Sequence, residues 1–330
     1  MSATPTHRMI AVMVLAPMVV ALALWAFAWP AARTAPRDVP IGIAGPATAV
    51  TQLEQHLEQR EGTFDIHRYA DGAAARAAIE DRVVYGAVVV ADGAPQLLTA
   101  SAASPVAAQL LKEAVTSQAP SGTQVQVTDV VPTPPGDPRG SALAASILPL
   151  ALAGVAVGAV VTFMRLRGTR AATSLVGASV LVGLTATALA HSWLGVLTGP
   201  WWTEAGVLGL TVLAIGAAVA GLGALLRTPG IALGALLVVL LGNPFSGAAS
   251  APELLPEPVG VIGQWLPPGA GATLLRSVTY FDGSGAAASV LTLSIWAALG
   301  LAAMLITGSR GGRTPAVAAE HREAAPAPVG

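Results

Sequence analysis

The chain contains no cysteine, which excludes disulfides, thiolate metal sites and cysteine nucleophiles together. Lysine occurs once, as Lys112, so basic charge is carried by arginine. Charged residues make up only 11% of the 330 positions, against 54% hydrophobic ones. Soluble domains usually carry about 25% charged residues, so an integral membrane protein is expected. A formal net charge of −1 gives no electrostatic footing for nucleic acid. No G-x-x-x-x-G-K-[ST] phosphate loop occurs, and Ser246-Gly247 and its neighbours form no nucleophile elbow. His56 and His67 have no partner at ligand spacing and read as surface histidines. Neither an enzyme nor a bound cofactor or metal is expected.

A further absence concerns the apolar segments. None holds Asp, Glu, Lys or Arg, apart from Glu204 at the edge of one. A charge at a membrane-helix centre costs about 2.5–3.5 kcal/mol on insertion scales, and ion-coupled pumps retain such groups as relays. His191, beside Ser192-Trp193 at a helix end, reads as interfacial rather than functional. Active transport by this chain would therefore draw its energy from elsewhere.

What is present begins with Met9–Trp29, apolar throughout and flanked by His7-Arg8 and Arg33. Ala26-Phe27-Ala28 would serve as a signal-peptidase site, but the run exceeds the usual signal length of about 7–15 residues, which favours an uncleaved anchor. Pro30–Gly140 holds 12 of the 18 acidic residues and is the one soluble-looking region. Val39–Ile43 alternates like a strand, and Val50, Leu53 and Leu57 recur at helical spacing. Phe64 and Ile66 alternate again, and Asp71 is placed to cap an alanine-rich helix from Gly72 to Glu80. Val83–Ala91 is a continuous apolar run suited to a buried strand, with Gln96–Ala100 as its hairpin partner across Asp92-Gly93. Val106, Leu110, Leu111 and Val115 mark a third helix, and Val125, Val127 and Val130 a last strand. The order βαβαββαβ predicts a small α/β sandwich.

Five more apolar segments follow: Ala142–Met164, Ala171–Ala190, Glu204–Leu226, Pro229–Ser246 and Ala287–Thr307. Pro229–Ser246 is short, reaching roughly 27 Å against a core about 30 Å thick. Charge settles its reading. If every segment crosses once, Arg165, Arg167, Arg170, Arg227, Arg310 and Arg313 all fall on the side of Arg8. Six spans with both termini cytoplasmic, in the cell membrane, follow from that pattern. Six of the seven tryptophans then lie near the outer interface.

Between the last two spans, Leu241–Phe281 is apolar but broken by Asn243-Pro244, Pro252, Pro256, Pro258 and Pro267-Pro268. Interior prolines forbid one continuous helix, and irregular backbone cannot face lipid. Charge parity makes this a re-entrant outer segment rather than a seventh span. Arg276 is the single basic residue of the short outer loops. Gly221-Leu-Gly223 reads as helix packing. Four domains result: 1–30, tail and first helix; 31–141, an extracytoplasmic α/β domain with a proline-rich linker; 142–308, a five-helix membrane domain re-entrant at about 247–286; and 309–330, a disordered cytoplasmic tail.

This pattern of one span, an outer βα-rich domain and five further spans resembles the permeases of type-2 ABC exporters and the related YhgE/Pip-like membrane proteins. In the outer domain the likeness lies in Val39–Ile43, Tyr69–Ala73 and Ile79–Val90. In the membrane part it lies in Asn243–Gly247, Pro252–Pro256, Trp265–Pro268 and Leu275–Ser277. The resemblance implies an export permease, homodimeric or paired with a similar permease in the lipid bilayer, and driven by a separate cytosolic ATPase. It maps the ATPase-coupling loop onto Arg165, Arg167 and Arg170. It maps outer re-entrant helices onto Pro252–Ser277, and the candidate gate residues are Pro244, Pro252, Pro256, Trp265, Pro267 and Pro268. Membrane anchoring equally explains the arginine loop. The YhgE/Pip-like alternative needs no ATPase and gives the outer domain a surface or secreted partner. A lipid or an amphiphilic drug would suit alanine- and glycine-rich spans.

Overall fold

Alternation along the strands decides how the α/β region folds. In the computed structural model, which describes residues 5–58, 62–91, 94–117 and 125–311, five strands form one sheet. They are β1 (Val39–Ala44), β2 (Phe64–Tyr69), β3 (Gly86–Ala91), β4 (Ala94–Thr99) and β5 (Gln126–Asp129), in spatial order β2-β1-β3-β4-β5. Only β3 and β4 pair antiparallel, with Val88 opposite Leu97. The other neighbours are parallel, as crossover helices require. Three helices supply the crossovers: α2 (Ala47–Glu58), α3 (Gly72–Glu80) and α4 (Pro105–Thr116). Asp71 caps α3 by accepting from the Ala74 amide at 2.8 Å, and Ser104 caps α4 through the Ala107 amide. On one face of the sheet Ala87, Val89 and Leu98 pack with Ile79 of α3. On the other, Ile41, Ile43, Val88 and Leu97 pack with Leu111 of α4.

The expected order βαβαββαβ is the order found. Boundaries differ at the hairpin, where β4 runs Ala94–Thr99 instead of Gln96–Ala100. Strand β3 starts at Gly86 rather than Val83, because Arg82 turns at φ 60° and the Val83 and Val84 amides bond back to Ala78. Asp92-Gly93, Arg313 and the tail from Thr314 lie outside the described residues, as do the side chains of Arg8, His56 and Arg310.

Among the described residues, five helices are long and apolar enough to cross a membrane. They belong to α1 (Pro5–Ala32), α5 (Ser141–Phe163), α6 (Gly168–Thr187, continued by a wider turn to Trp193), α7 (Trp201–Leu226) and α11 (Ala287–Gly311). Between α7 and α11 comes α8 (Thr228–Leu236), which widens over Leu237–Gly242. Thr228–Gly242 is thus an apolar helical run of intermediate length, and it ends before Pro244 for the reason already given.

Helix α7 is the hub. The share of its apolar window buried by protein is 78%, against 33% for α5, 22% each for α6 and α11 and 11% for α1. Small residues allow this enclosure. At Gly300 of α11 an added Cβ would stand 2.1 Å from the Ala217 carbonyl oxygen of α7. Gly154 and Gly158 of α5 and Gly183 of α6 meet α7 at 2.5–2.6 Å by the same measure, and Gly221, at 2.8 Å from Gly300, and Gly223, at 3.0 Å from Thr162, are packing positions as expected. By contrast α1 touches the bundle only near its C-terminal end, where Trp29 packs with Phe245, Leu255 and Val259.

The broken segment resolves into short helices, each begun at proline. Two 3₁₀ turns span Pro244–Ser246 and Pro252–Leu254; α9 (Val259–Trp265) follows Pro258, and α10 (Pro267–Tyr280) starts on Pro267-Pro268. Proline costs nothing at a first helical position, where the amide would lack a partner anyway. The turns pack tightly against one another: a Cβ at Gly263 would lie 1.7 Å from the Phe245 carbonyl oxygen. This segment then enters the α/β domain from below. Leu254 joins the core under α4, and Phe281 joins the core under α3.

Candidate functional site

Four features concentrate polar chemistry or open space, and they divide between the two ends of the bundle. At the end bearing the α/β domain lies a seam. The linker from α1 lays its Ala35 and Arg37 amides on the Leu254 and Glu253 carbonyls, each at 3.1 Å. The positive φ of Arg82, at the foot of α3, aims its guanidinium across the seam. It donates to the Thr273 carbonyl at 3.2 Å and closely to the Ser277 hydroxyl, and it lies 5.3 Å from the Phe281 ring centroid. The Tyr85 hydroxyl donates to Glu253 Oε2 at 2.7 Å. Behind them Arg276, which is 4% exposed, donates to the Ala248 carbonyl at 3.0 Å.

The sequence counts Arg276 in the connection before the last span, and the structure places it within a helix of that connection. It lies inside α10 with its charge enclosed, answered by a carbonyl instead of water. Burial, and then the neighbouring Arg82, pulls its pKa down to about 10, so it remains cationic at neutral pH. Burial likewise lowers Arg82, against the opposing influence of Tyr85 and Glu253. The Tyr85 phenol is pushed far up by burial first and by Glu253 second.

The seam encloses a cavity of about 480 Å³. Its floor is Arg82, Tyr85, Glu253, Gln264 and Thr273, and its outer wall includes Val261 and Trp265. Gln264 is fixed, donating to the Ser246 carbonyl at 3.0 Å and accepting from Thr273 at 2.7 Å. Of the residues expected to form an outer gate, Pro252 and Trp265 line this cavity. Pro256, Pro267 and Pro268 are buried beneath it, and Pro244 only begins its turn. Pro252 and Pro258 reach the space, while the other prolines shape the segment behind it.

Also near this end, His191 Nδ1 and Glu204 Oε2 lie 2.8 Å apart, and the Gly199 amide donates to Glu204 Oε1 at 2.8 Å. Glu204 is fully buried. The histidine satisfies the buried carboxylate and closes the loop between α6 and α7, a structural contact the sequence did not announce.

At the opposite end the C-termini of α5, α7 and α11 meet the N-termini of α6 and α8 around a polar cavity of about 700 Å³. Arg165, Arg167 and Arg227 line it with Thr162, Thr228 and Thr307. Arg167 and Arg227 precede α6 and α8, neither of which has a side-chain cap. Pro229 has no amide hydrogen and the Gly230 and Ile231 amides bond to the Arg227 carbonyl, so it is the three guanidiniums that favour an anionic group there. Of the expected coupling residues the structure brings Arg165 and Arg167 together; Arg170 does not line the cavity, and Arg227 takes the third place. Along the side of the bundle, an apolar groove of about 630 Å³ runs between α5 and α6, past Ala145, Pro149, Ala153, Leu181 and Leu189.

Among the described residues no three His, Asp or Glu side chains gather as a metal site would require. His67 meets only Asp65, at 3.1 Å. The sequence reading missed Arg82, Tyr85 and Glu253 as a group, although each falls within a stretch already singled out. Their pairing spans 168 residues and carries no local signature. Compared with known proteins, the chain matches no family model, no curated protein and no solved structure.

Proposed function

We propose that this chain is the membrane-spanning permease subunit of an ATP-driven exporter, without an ATPase of its own. On this reading Thr228–Gly242 makes a sixth, short crossing, both termini are cytoplasmic, and the α/β domain stands outside the cell membrane. The observation that carries the reading is the basic cavity of Arg165, Arg167 and Arg227 at the end opposite the α/β domain. Three cations around one opening suit an acidic element of a cytosolic ATPase.

The enclosure of α7 supports pairing. A helix buried over 78% of its window fills the middle of the bundle, so a route for cargo runs between two copies rather than through one. Among the described residues, the spans contribute a single acidic group, Glu204, and it is held by His191 and Gly199. Energy supplied by a partner fits that arrangement.

The test is co-purification of nucleotide-hydrolysing activity with the tagged chain from its native membrane. Wild type brings down an ATPase, and the triple variant Arg165→Glu, Arg167→Glu, Arg227→Glu loses it while still inserting and remaining folded. Equal ATPase with wild type and variant overturns the docking assignment. No ATPase with either favours the alternative, a YhgE/Pip-like protein whose outer domain binds a surface or secreted partner.

A further inference from the structure

We infer that the seam cavity binds the headgroup of a zwitterionic amphiphile of the phosphoethanolamine kind, with its chain lying along α9. The inference deepens the exporter reading by naming a substrate class for it. Its grounds are the charges around the cavity and the two unlike walls that enclose it.

Arg37 and Arg82 face the space together with Asp38, Glu253 and Glu257. Among the described residues none of these five makes an ion pair. The Arg37 guanidinium reaches only the carbonyls of Arg33, Ala35 and Leu254. Arg82 is held by a carbonyl and a hydroxyl, and Glu253 accepts from Tyr85. Arg82 and Glu253 feel each other's charge, yet no guanidinium here is in direct contact with a carboxylate, and cations and anions that face one cavity in this way are complementary to a ligand carrying both signs. A phosphate suits the guanidiniums, which bind it in a planar, forked geometry. An ammonium suits the carboxylates, and Glu257 is exposed at the rim.

The remaining wall is apolar. Leu255, Pro258, Val261 and Trp265 line it, and Val261 and Trp265 are 60% and 71% exposed. Beside it, the stacked Trp25 and Trp29 of α1 mark the level where aromatic side chains meet a membrane interface. Head and chain of an amphiphile thus each have a matching surface, and about 480 Å³ is within the range of small-ligand sites.

Trp265 provides the assay. Phospholipids brominated in their chains, with phosphoethanolamine or phosphoglycerol heads, are titrated into the full-length protein in neutral detergent. The quenching lost in Trp265→Phe isolates binding at this wall. Wild type should prefer the phosphoethanolamine lipid by roughly tenfold, the worth of one charge-assisted contact. Glu257→Lys, at an exposed position, should reverse the preference, and Arg37→Gln should weaken binding of both lipids. Equal binding of the two heads by wild type, or an unchanged preference in Glu257→Lys, overturns the inference. The titration needs no ATPase, so it can fail while the docking test at Arg165, Arg167 and Arg227 succeeds, and the reverse.

Discussion

Tyr85 of the α/β domain and Glu253 of the broken membrane segment share a 2.7 Å hydrogen bond across 168 residues of chain. That contact does not stand alone. Phe281 and Leu254 enter the two faces of the same sheet domain, and Arg82 reaches back to Thr273. Seated at both faces, the α/β domain and the proline-rich segment form one packed unit rather than a domain on a flexible tether. Any movement of α9 and α10 is therefore transmitted to the domain.

Replacing Tyr85 with Phe leaves the Glu253 carboxylate without its hydroxyl partner. A lost bond of this kind costs about 1–3 kcal/mol, read as a lower unfolding midpoint in detergent. The pH dependence has a definite sign. The folded Tyr85 pKa lies above the ordinary value near 10, so its contribution is complete below that pH. It falls as pH rises beyond it, where the unfolded phenol ionises and the folded one does not. Tyr85→Phe should flatten this alkaline decline. Tyr280, pushed up to about 12 by burial and then by Asp137, leaves a residual slope.

Helix packing gives a paired prediction. Gly300→Ala sets a methyl group 2.1 Å from the Ala217 carbonyl oxygen, and overpacking of this kind costs about 1–3 kcal/mol. Gly177→Ala on α6 meets nothing within 4 Å and should gain up to about 1 kcal/mol from helix propensity. Thermal unfolding of the two variants side by side checks both signs. Equal midpoints would mean that α7 and α11 are not so closely packed.

How far these features could be read in advance depends on the range of the interaction. The strands and helices of the α/β region followed from alternation and capping, because Val88, Ile79 and Asp71 each act within a few residues of themselves. The prolines of the broken segment were legible too: α1 and α5 run on through Pro17 and Pro149, but Pro252, Pro256, Pro258 and Pro267-Pro268 come too close together for one helix to absorb. What charge counting could not supply was the environment of Arg276. One arginine between two spans looks the same whether water or a carbonyl answers it. The contact of His191 was hidden for the same reason: its partner Glu204 lies 13 residues on, across a loop whose closure no local spacing announces.

Glu204→Ala removes both bonds that the carboxylate accepts, from His191 and from the Gly199 amide. The loop between α6 and α7 should loosen, at a cost of about 1–3 kcal/mol. Glu204→Gln keeps an acceptor and should lose less. Proteolysis within the loop, whose Gly195 adopts φ 63°, reports the difference. Equal cutting of Glu204→Ala and wild type would show that the pair does not hold the loop.

The absence of cysteine makes the proposed topology directly testable with single introduced thiols. Gly263 and Gly269 look suitable in the sequence, but both are buried, and a side chain at either would strike backbone at 1.7 or 2.1 Å. Val261, two residues before Gly263, is 60% exposed on the seam wall. Thr169 is exposed at the opposite end of the bundle, beside the arginine loop. With the α/β domain outside, Val261→Cys should react with a membrane-impermeant maleimide on intact cells, and Thr169→Cys only after permeabilisation. The reverse pattern would invert the chain. Labelling of both on intact cells would mean that the two ends are not separated by the membrane, and the permease reading would fall with that result.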